Sequence, residues 1–444
     1  MKLFQQMLVA GATLGLLAPV AAQASDVINL DEMNSYARSN SKKSPRLDSK
    51  TFINEISEDI ANLNGRVDAL EVNQNVLEAG AFSDTTTLDG KAVMAIGAID
   101  GGNELGSNHH EKVSAAYVYQ MNLNTSFTGD DNLYVRLKTG DGWDGAFDNK
   151  PGTYHIEAKD NGDILKVDKL WYTFPIGDKV TATIGPKIEN YYMLAATPSV
   201  YKPGALKAFK LGGHASAFGA STSTGGGLKY QADNGFASSI TFNSKKAATT
   251  GGLFTDQDQN KVNTQVAYTG DNYHVSATYS MQNGWNSWSY YSTKTLADNA
   301  GTVGWGSAST LATVQADAVA LRGWWRPEDS GSATPSISVG YDTITFSNRS
   351  DNITEGSGYF VGLNWSDMIQ PDDKIGIAVG QPMKATKVSS GTLSEIDPFM
   401  WEAYYSFRPN DSIEVTPAVF GGTDVYADTG DDLFGAVLTT TFKF

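Results

Sequence analysis

LFGAVLTTTFKF, residues 433–444, closes the chain on a period of two. Phe434, Ala436, Leu438, Thr440, Phe442 and Phe444 fall on one side of an extended strand, and Thr439, Thr441 and Lys443 on the other. Chain ends usually fray, having few partners to order them. A last strand that carries a ring on its final residue is ordered only if another strand takes it up. The strand near residue 91 is the expected partner. That pairing, with Phe442 and Phe444 at the closure, would remove the last free edge of a sheet.

The same period recurs upstream. Val113, Ala115, Tyr117, Tyr119, Met121 and Leu123 alternate with Ser114, Ala116, Val118, Gln120, Asn122 and Asn124, and residues 274–281 and 399–407 repeat the pattern. Between strand pairs lie seven short clusters of Gly, Pro, Asn and Asp, at 128–132, 176–179, 232–235, 269–272, 326–335, 370–374 and 408–412. At the opposite strand ends the connections are long and irregular, as at 140–165, 190–224, 282–314 and 382–398. Seven hairpins plus one strand at each end make sixteen strands. An even count with short turns on one rim and long loops on the other is the asymmetry of an outer-membrane barrel. A soluble β-sandwich shares the alternation but not the one-sided loops. The fold expected over 88–444 is therefore all-β, a 16-stranded antiparallel transmembrane β-barrel.

Composition agrees. Glycine numbers 45, aromatic residues make up 11%, and cysteine is absent, so neither disulfides nor thiol chemistry is available. A net charge of −16 lacks the basic footprint of a nucleic-acid binder. Lys2, the apolar run 7–20 and Ala22-Gln23-Ala24 read as a secretory signal over residues 1–24. Aromatic residues such as Trp365, Trp401, Tyr279 and Tyr405 lie near strand ends, where a lipid-interface girdle would place them.

A polar linker at 25–51 precedes a segment of different period. Ile53, Ile56, Ile60, Leu63, Val67, Leu70, Gln74 and Leu77 are spaced alternately by three and four residues, an a/d seam with Gln74 at an a position. Residues 52–80 are expected to form a short N-terminal coiled-coil helix in the periplasm, ~37 Å long at ~1.5 Å per residue. Packing of one amphipathic helix on its own domain is the alternative, and the number of strands in the coil stays open.

The opening MKLFQQMLVAGATLGLLAPVAAQA, the helix INEISEDIANLNGRVDALE leading into FSDTTTLDGKAVMAIGAI, and the terminal LTTTFKF together resemble cyanobacterial outer-membrane porins of the OprB carbohydrate-selective type, many also labelled iron-uptake porins. The resemblance spans nearly the whole chain. It implies a homotrimer of barrels in outer-membrane lipid and passive diffusion of small hydrophilic solutes, sugars and inorganic ions. It also implies contact with the peptidoglycan layer through an S-layer-homology module, which the polar 25–51 stretch replaces here. An enzyme is not expected: the five histidines sit in no triad pattern, and no cofactor is implied.

Alternation assigns the interior. With Leu133, Val135 and Leu137 toward lipid, Arg136 and Lys138 point inward; Lys169 and Trp171 follow on the next strand, and Lys187 on the one after. The loop 190–224 is expected to fold inward and narrow the passage. It carries Lys202, Lys207 and Lys210 and no carboxylate. Glu402 and Glu414 point inward on the far side, so a basic arc could face an acidic one across the constriction. The plainer reading is that the lysines solvate the lumen. Trp171 is either a sugar-stacking surface or barrel packing. Asp256, Asp258 and Asn260 imitate the start of a calcium loop but have Lys261 where glycine is needed, and His109-His110 form no ligand cluster, so no metal is expected. A structural protein or adhesin with a closed or very narrow pore is the alternative function.

Overall fold

Residues 434–443 pair antiparallel with 91–100, running from Lys91 opposite Lys443 to Asp100 opposite Phe434. Past the last ladder pair the Gly90 N–H donates to the Phe444 carbonyl (2.8 Å), and the Phe444 N–H donates back to Gly90 O (3.2 Å). The Phe444 ring lies over Gly90, where an added Cβ would come within 2.6 Å of its Cζ. It stacks on Tyr119 with centroids 5.9 Å apart. The terminal ring is therefore set into a gap that only glycine leaves.

This computed structural model describes residues 85–100, 113–141, 161–213, 217–219, 221–285, 314–329, 331, 333–347, 353–389, 393, 397–424 and 433–444. Among them are β1 (Thr86–Asp100), β2 (Ser114–Thr125), β3 (Asn132–Gly140), β4 (Lys166–Ile176), β5 (Val180–Ile188), β6 (Ser223–Gln231), β7 (Phe236–Ser244) and β8 (Asn260–Thr269). The second half holds β9 (Tyr273–Asn283), β10 (Gln315–Trp325), β11 (Ser336–Ser347), β12 (Ile353–Ser366), β13 (Lys374–Val388), β14 (Phe399–Asn410), β15 (Ile413–Thr423) and β16 (Leu433–Lys443). Each strand pairs with its sequence neighbours and β1 with β16, a closed barrel of sixteen strands. All pairings are antiparallel, for example Thr278 opposite Gln265 and Ala320. The expected leader (1–24), linker (25–51) and coiled-coil seam (within 52–80), and His109-His110, lie outside the described residues.

The two faces differ as the period requires. On β9, Val275, Tyr279 and Met281 are exposed on the outside, while His274, Thr278, Ser280 and Gln282 are buried inside. Lipid offers backbone groups no partners, so closure satisfies them all within the ladder and leaves apolar side chains outward. The seven hairpin connections are short at 177–179, 270–272 and 411–412 and longest at 326–335. Two of them use the same device. Asp131 accepts from the N–H groups of Phe127 and Thr128 (2.8 Å each), and Asp373 from those of Met368, Ile369 and Gln370 (2.8–3.0 Å). A tyrosine of a neighbouring strand caps each carboxylate: Tyr172 on Asp131 (2.6 Å) and Tyr405 on Asp373 (3.1 Å). The Tyr172 hydroxyl first, and then the turn N–H groups, hold Asp131 well below the usual carboxylate range although burial opposes them.

Gly90→Val forces the Phe444 ring out of its seat. It should cost about 1–3 kcal/mol, as overpacking does, and lower the temperature at which the fast-migrating folded barrel unfolds on detergent gels. Gly323→Ala, whose Cβ would meet Val339 at an ordinary 3.5 Å on the same outer face, should leave that temperature unchanged.

Candidate pore constriction

The connection between β5 and β6, residues 189–222, contains two 3₁₀ segments, Asn190–Met193 and Lys207–Gly212. Its outgoing limb is held by the inner face of successive strands. Ala195 N–H donates to Ser239 Oγ of β7 (3.3 Å), and Ala196 exchanges two hydrogen bonds with Gln265 of β8 (3.0 and 3.2 Å). Trp324 of β10 donates to Thr197 O (3.2 Å), and Ser338 Oγ of β11 accepts from Val200 and Tyr201 N–H (3.2 Å each). The return limb passes Arg322, which donates to Leu211 O (2.8 Å) and to Gly213 O. Asn263 and Lys261 of β8 then donate to Ala217 O (3.0 Å) and Gly219 O (2.8 Å). The loop lies flat on the wall at Gly340, where a Cβ would fall 1.9 Å from Gly212 O, and Gly213 turns with φ +97°.

The far end of the loop hangs on one side chain. Glu402 of β14 has no solvent exposure. Its Oε1 accepts from Tyr201 Oη (2.6 Å) and Gly204 N–H (3.1 Å), and its Oε2 from Ala205 N–H (3.0 Å) and Leu206 N–H (2.7 Å). A carboxylate out of water is tolerated only when so provided for. Lys169 of β4 clamps the two loop ends, pairing with Glu189 (3.0 Å) and donating to Thr222 Oγ1. Burial works against ionisation of Glu189, yet Lys169 and the Tyr191 hydroxyl hold its carboxyl below the usual range. Arg322 is itself buried with Asp342 as counter-ion (2.8 Å).

Several expected pore residues thus take other places. Glu402 faces inward but lies under the loop, so it supplies no free field to the passage. Lys169 is inward but only 2% exposed, held as a clamp. Lys187 does not face the lumen. A bulge between Leu170 and Tyr172 shifts the β4–β5 register and sets Lys187 opposite Leu170 on the outer face, its Nζ donating to Val167 O (3.1 Å). Arg136 does point inward, donating to Asp168 through Nε (2.7 Å) and to Tyr192 Oη through Nη1 (3.1 Å). Asp168 is the extra residue of a second bulge, on β4 opposite Arg136 and Leu137. Lys138 lies in one inner row with Gln120 and Lys166.

Lys202 is exposed, and its carbonyl accepts from Tyr404 Oη (2.7 Å). Lys207 and Lys210 belong to the second 3₁₀ segment, and Lys210 Nζ sits 4.9 Å over the Tyr191 ring. Glu414 is near the hairpin rim, pairing with Lys443 (2.8 Å) and Arg408 (3.5 Å). Trp171 is inside, stacked between Tyr134 (4.2 Å) and Tyr192 (4.8 Å). Arg136, Lys169, Trp171 and Lys210 therefore converge around Glu189, Tyr191 and Tyr192, whereas Glu402 and Glu414 belong elsewhere. Asp168, Glu189 and Tyr192 escape a reading by alternation and loop boundary alone. Glu189 stands one position before the carboxylate-free loop. The Arg322–Asp342 pair is legible in the alternation of β10 and β11.

The inner wall is not uniformly polar. Ala316, Ala318, Ala320, Ile344, Phe346, Met383 and Ala385 pack against Phe218 of the loop, and a second cluster joins Leu206 and Phe209 to Phe360, Tyr404 and Phe420. Polar inner side chains with partial exposure run instead along β1–β4 and the hairpin-rim ends of β15 and β16, among them Asp89, Asn122, Asn124, Arg136, Glu414 and Thr441. Asp258 is buried and accepts from Ser244 Oγ (2.5 Å), a loop-bracing role. Among the described residues no group of three or more His, Asp or Glu side chains is arranged to hold a metal ion.

Comparison with known proteins fits this architecture. Residues 47–444 match the family model described as carbohydrate-selective porin, OprB family. An uncharacterized protein of Nostoc sp. (strain PCC 7120) is 27% identical over 88% of this chain and 71% of its own length. One from Synechocystis sp. (strain PCC 6803) is 24% identical over 83% and 70%. Among solved structures, Pseudomonas putida OprB at high pH superposes with a TM-score of 0.52 over 81% of this chain and 94% of that one, at 11% identity. A loop-deletion mutant of OmpT, an outer-membrane protein of Vibrio cholerae, gives 0.50 over 81% and 99%, at 10% identity. Those two likenesses establish the shared barrel fold. The family match covers nearly the whole sequence, including every strand, and the chain belongs to the OprB family of carbohydrate-selective porins.

Proposed function

We propose that the protein is a passive channel of the outer membrane, admitting small hydrophilic solutes, sugars first, through a lumen that the segment 189–222 narrows. The observation that carries this reading is the hydrogen-bonded course of that segment along the inner wall from β7 to β14 and back, which leaves β1–β4 as the accessible polar arc. A channel performs no bond chemistry. Passage depends on the width and charge of the narrowest point. The apolar clusters around Phe218 and Phe209 favour a tight aperture, and at their limit a closed, structural barrel. Liposome swelling with sugars of graded size separates the two: a channel admits monosaccharides and excludes oligosaccharides, whereas a closed barrel admits none.

The charge balance of the arc supports a mild preference for anions. Arg136 and Lys169 carry carboxylate partners, which offsets much of their charge, and the preference rests on the basic residues gathered with them, Lys138 and Lys166 on the wall and Lys202 and Lys210 on the loop. Self-association through Ile53–Leu77 as a homotrimer, inorganic-ion passage, and contact of the N-terminal segment with peptidoglycan belong to the same proposal. Deleting 52–80 and measuring mass in detergent tests the assembly.

Two measurements bear on the channel itself. Glu402→Ala removes the acceptor of three backbone N–H groups and one hydroxyl. The cost should be about 2 kcal/mol or more, and release of the loop should raise single-channel conductance and the sugar size limit. In a potassium chloride gradient the wild-type reversal potential should show a modest anion preference, with clear cation preference as the contrary result.

A further inference from the structure

Cations gather inside the barrel at the hairpin-turn end of β13–β16. Lys374 begins β13 opposite Ser406 of β14, and Arg408 is the next inward residue along β14. Lys443 of β16 lies directly opposite Lys91 of β1, both on the inner face. Lys202 reaches the same place from the loop. Its carbonyl accepts from Tyr404 Oη (2.7 Å), and Tyr404 is the inward residue before Ser406. The Tyr404 ring lies over Gly376, where a Cβ would fall 2.1 Å from its Cε1, so the loop tip ends one inward step from Lys374. All five cations are at least partly exposed, and the charges of Lys202, Arg408 and Lys443 act on Lys374.

Carboxylates do not match them. Glu414 takes both Lys443 (2.8 Å) and Arg408 Nε (3.5 Å) on one oxygen, Oε2. Asp89, inward on β1, is occupied by the side-chain amides of Asn122 (2.5 Å) and Asn124 (2.8 Å). Asp373 precedes Lys374 but faces its own turn, where it accepts from three N–H groups (2.8–3.0 Å). Among the described residues the ammonium groups of Lys202 and Lys374 have no hydrogen-bond or ion-pair partner. Hydroxyls stand among the charges: Thr416 donates to Ser406 Oγ (2.9 Å), and Thr441 lies opposite Glu414. Like charges gathered on a partly desolvated wall repel, and a bound anion relieves that repulsion. An oxyanion with two charges fits this set better than chloride. Its several oxygens can accept at once from a guanidinium fork, ammonium groups and a hydroxyl.

We propose that Lys202, Lys374, Arg408 and Lys443 form a binding site for a dianionic oxyanion of the phosphate class, on the inner wall at the hairpin-turn mouth of the barrel. The site is separate from the Arg136 arc. It deepens the channel reading by giving the passage an anion-holding step at that mouth. Binding is measured without conduction, so the site and the channel can fail separately.

Inorganic phosphate is the probe, titrated calorimetrically into the full purified protein in detergent, with sodium chloride holding the ionic strength constant. Phosphate should bind saturably over that chloride background. Lys374→Gln should weaken it about tenfold, the loss of one charge-assisted contact. Glu414→Gln should strengthen it severalfold by releasing Lys443 and Arg408. Glucose 6-phosphate carries the same phosphoryl group: tighter binding than inorganic phosphate assigns the site to phosphorylated sugars, and weaker binding to the free ion. The site is overturned if wild type shows no saturable phosphate binding. It is equally overturned if both variants, shown folded by heat-modifiable migration, bind phosphate like wild type. Saturable binding by a protein that neither conducts nor swells liposomes would uphold the site and sink the channel reading.

Discussion

A loop carried into a barrel brings its backbone with it, and each peptide group that leaves water must find a partner. In this protein that requirement organises the interior. Glu402 collects three N–H groups and the Tyr201 hydroxyl at the far end of the loop, Arg322 takes two carbonyls on the return, and Lys169 binds both ends. Most of the strongest inner charges are therefore structural. They hold a segment of chain in place rather than presenting free charge to a passing solute. A carboxylate bonded four times can remain buried, and its loss would strand every group it serves.

Placement of the loop determines what is left for solutes. By lying against β7–β14 and sealing apolar side chains beneath it, the loop removes that half of the wall from the aqueous space. Exposed polar residues remain on β1–β4 and at the hairpin-rim ends of β15 and β16. In the proposed channel the passage is thus off-centre, with Arg136, Asp168 and Tyr192 where the loop leaves the wall. Carbohydrate selectivity, the property by which the family is described, fits a narrow lumen with paired charges better than a wide basic one. Paired charges contribute fixed donors and acceptors for hydroxyls without a strong net field.

Strand number, closure and the seam at Phe444 were legible because they depend on a period of two and on turn chemistry, both local. The interior was legible wherever that period runs unbroken, as for Arg136, Trp171 and Glu402. It failed at bulges. One extra residue at Asp168 brought an acid to the lumen, and the shift after Leu170 turned Lys187 out to the other face. A bulge leaves no mark in the alternation of a single strand, since it is a property of the pair. The role of Glu402 was hidden for a different reason: its partners are some two hundred residues earlier in the chain, and three of the four are backbone groups without a sequence signature.

The central claim is that the loop confines the aqueous path to one arc of the wall. The chain has no cysteine, so single cysteines report without background. Asn124→Cys, on the open arc, should react rapidly with a charged, membrane-impermeant thiol reagent and lose channel current, while Ser280→Cys, fully buried on β9, should stay unmodified with its current intact. Equal reactivity at the two positions would contradict the account.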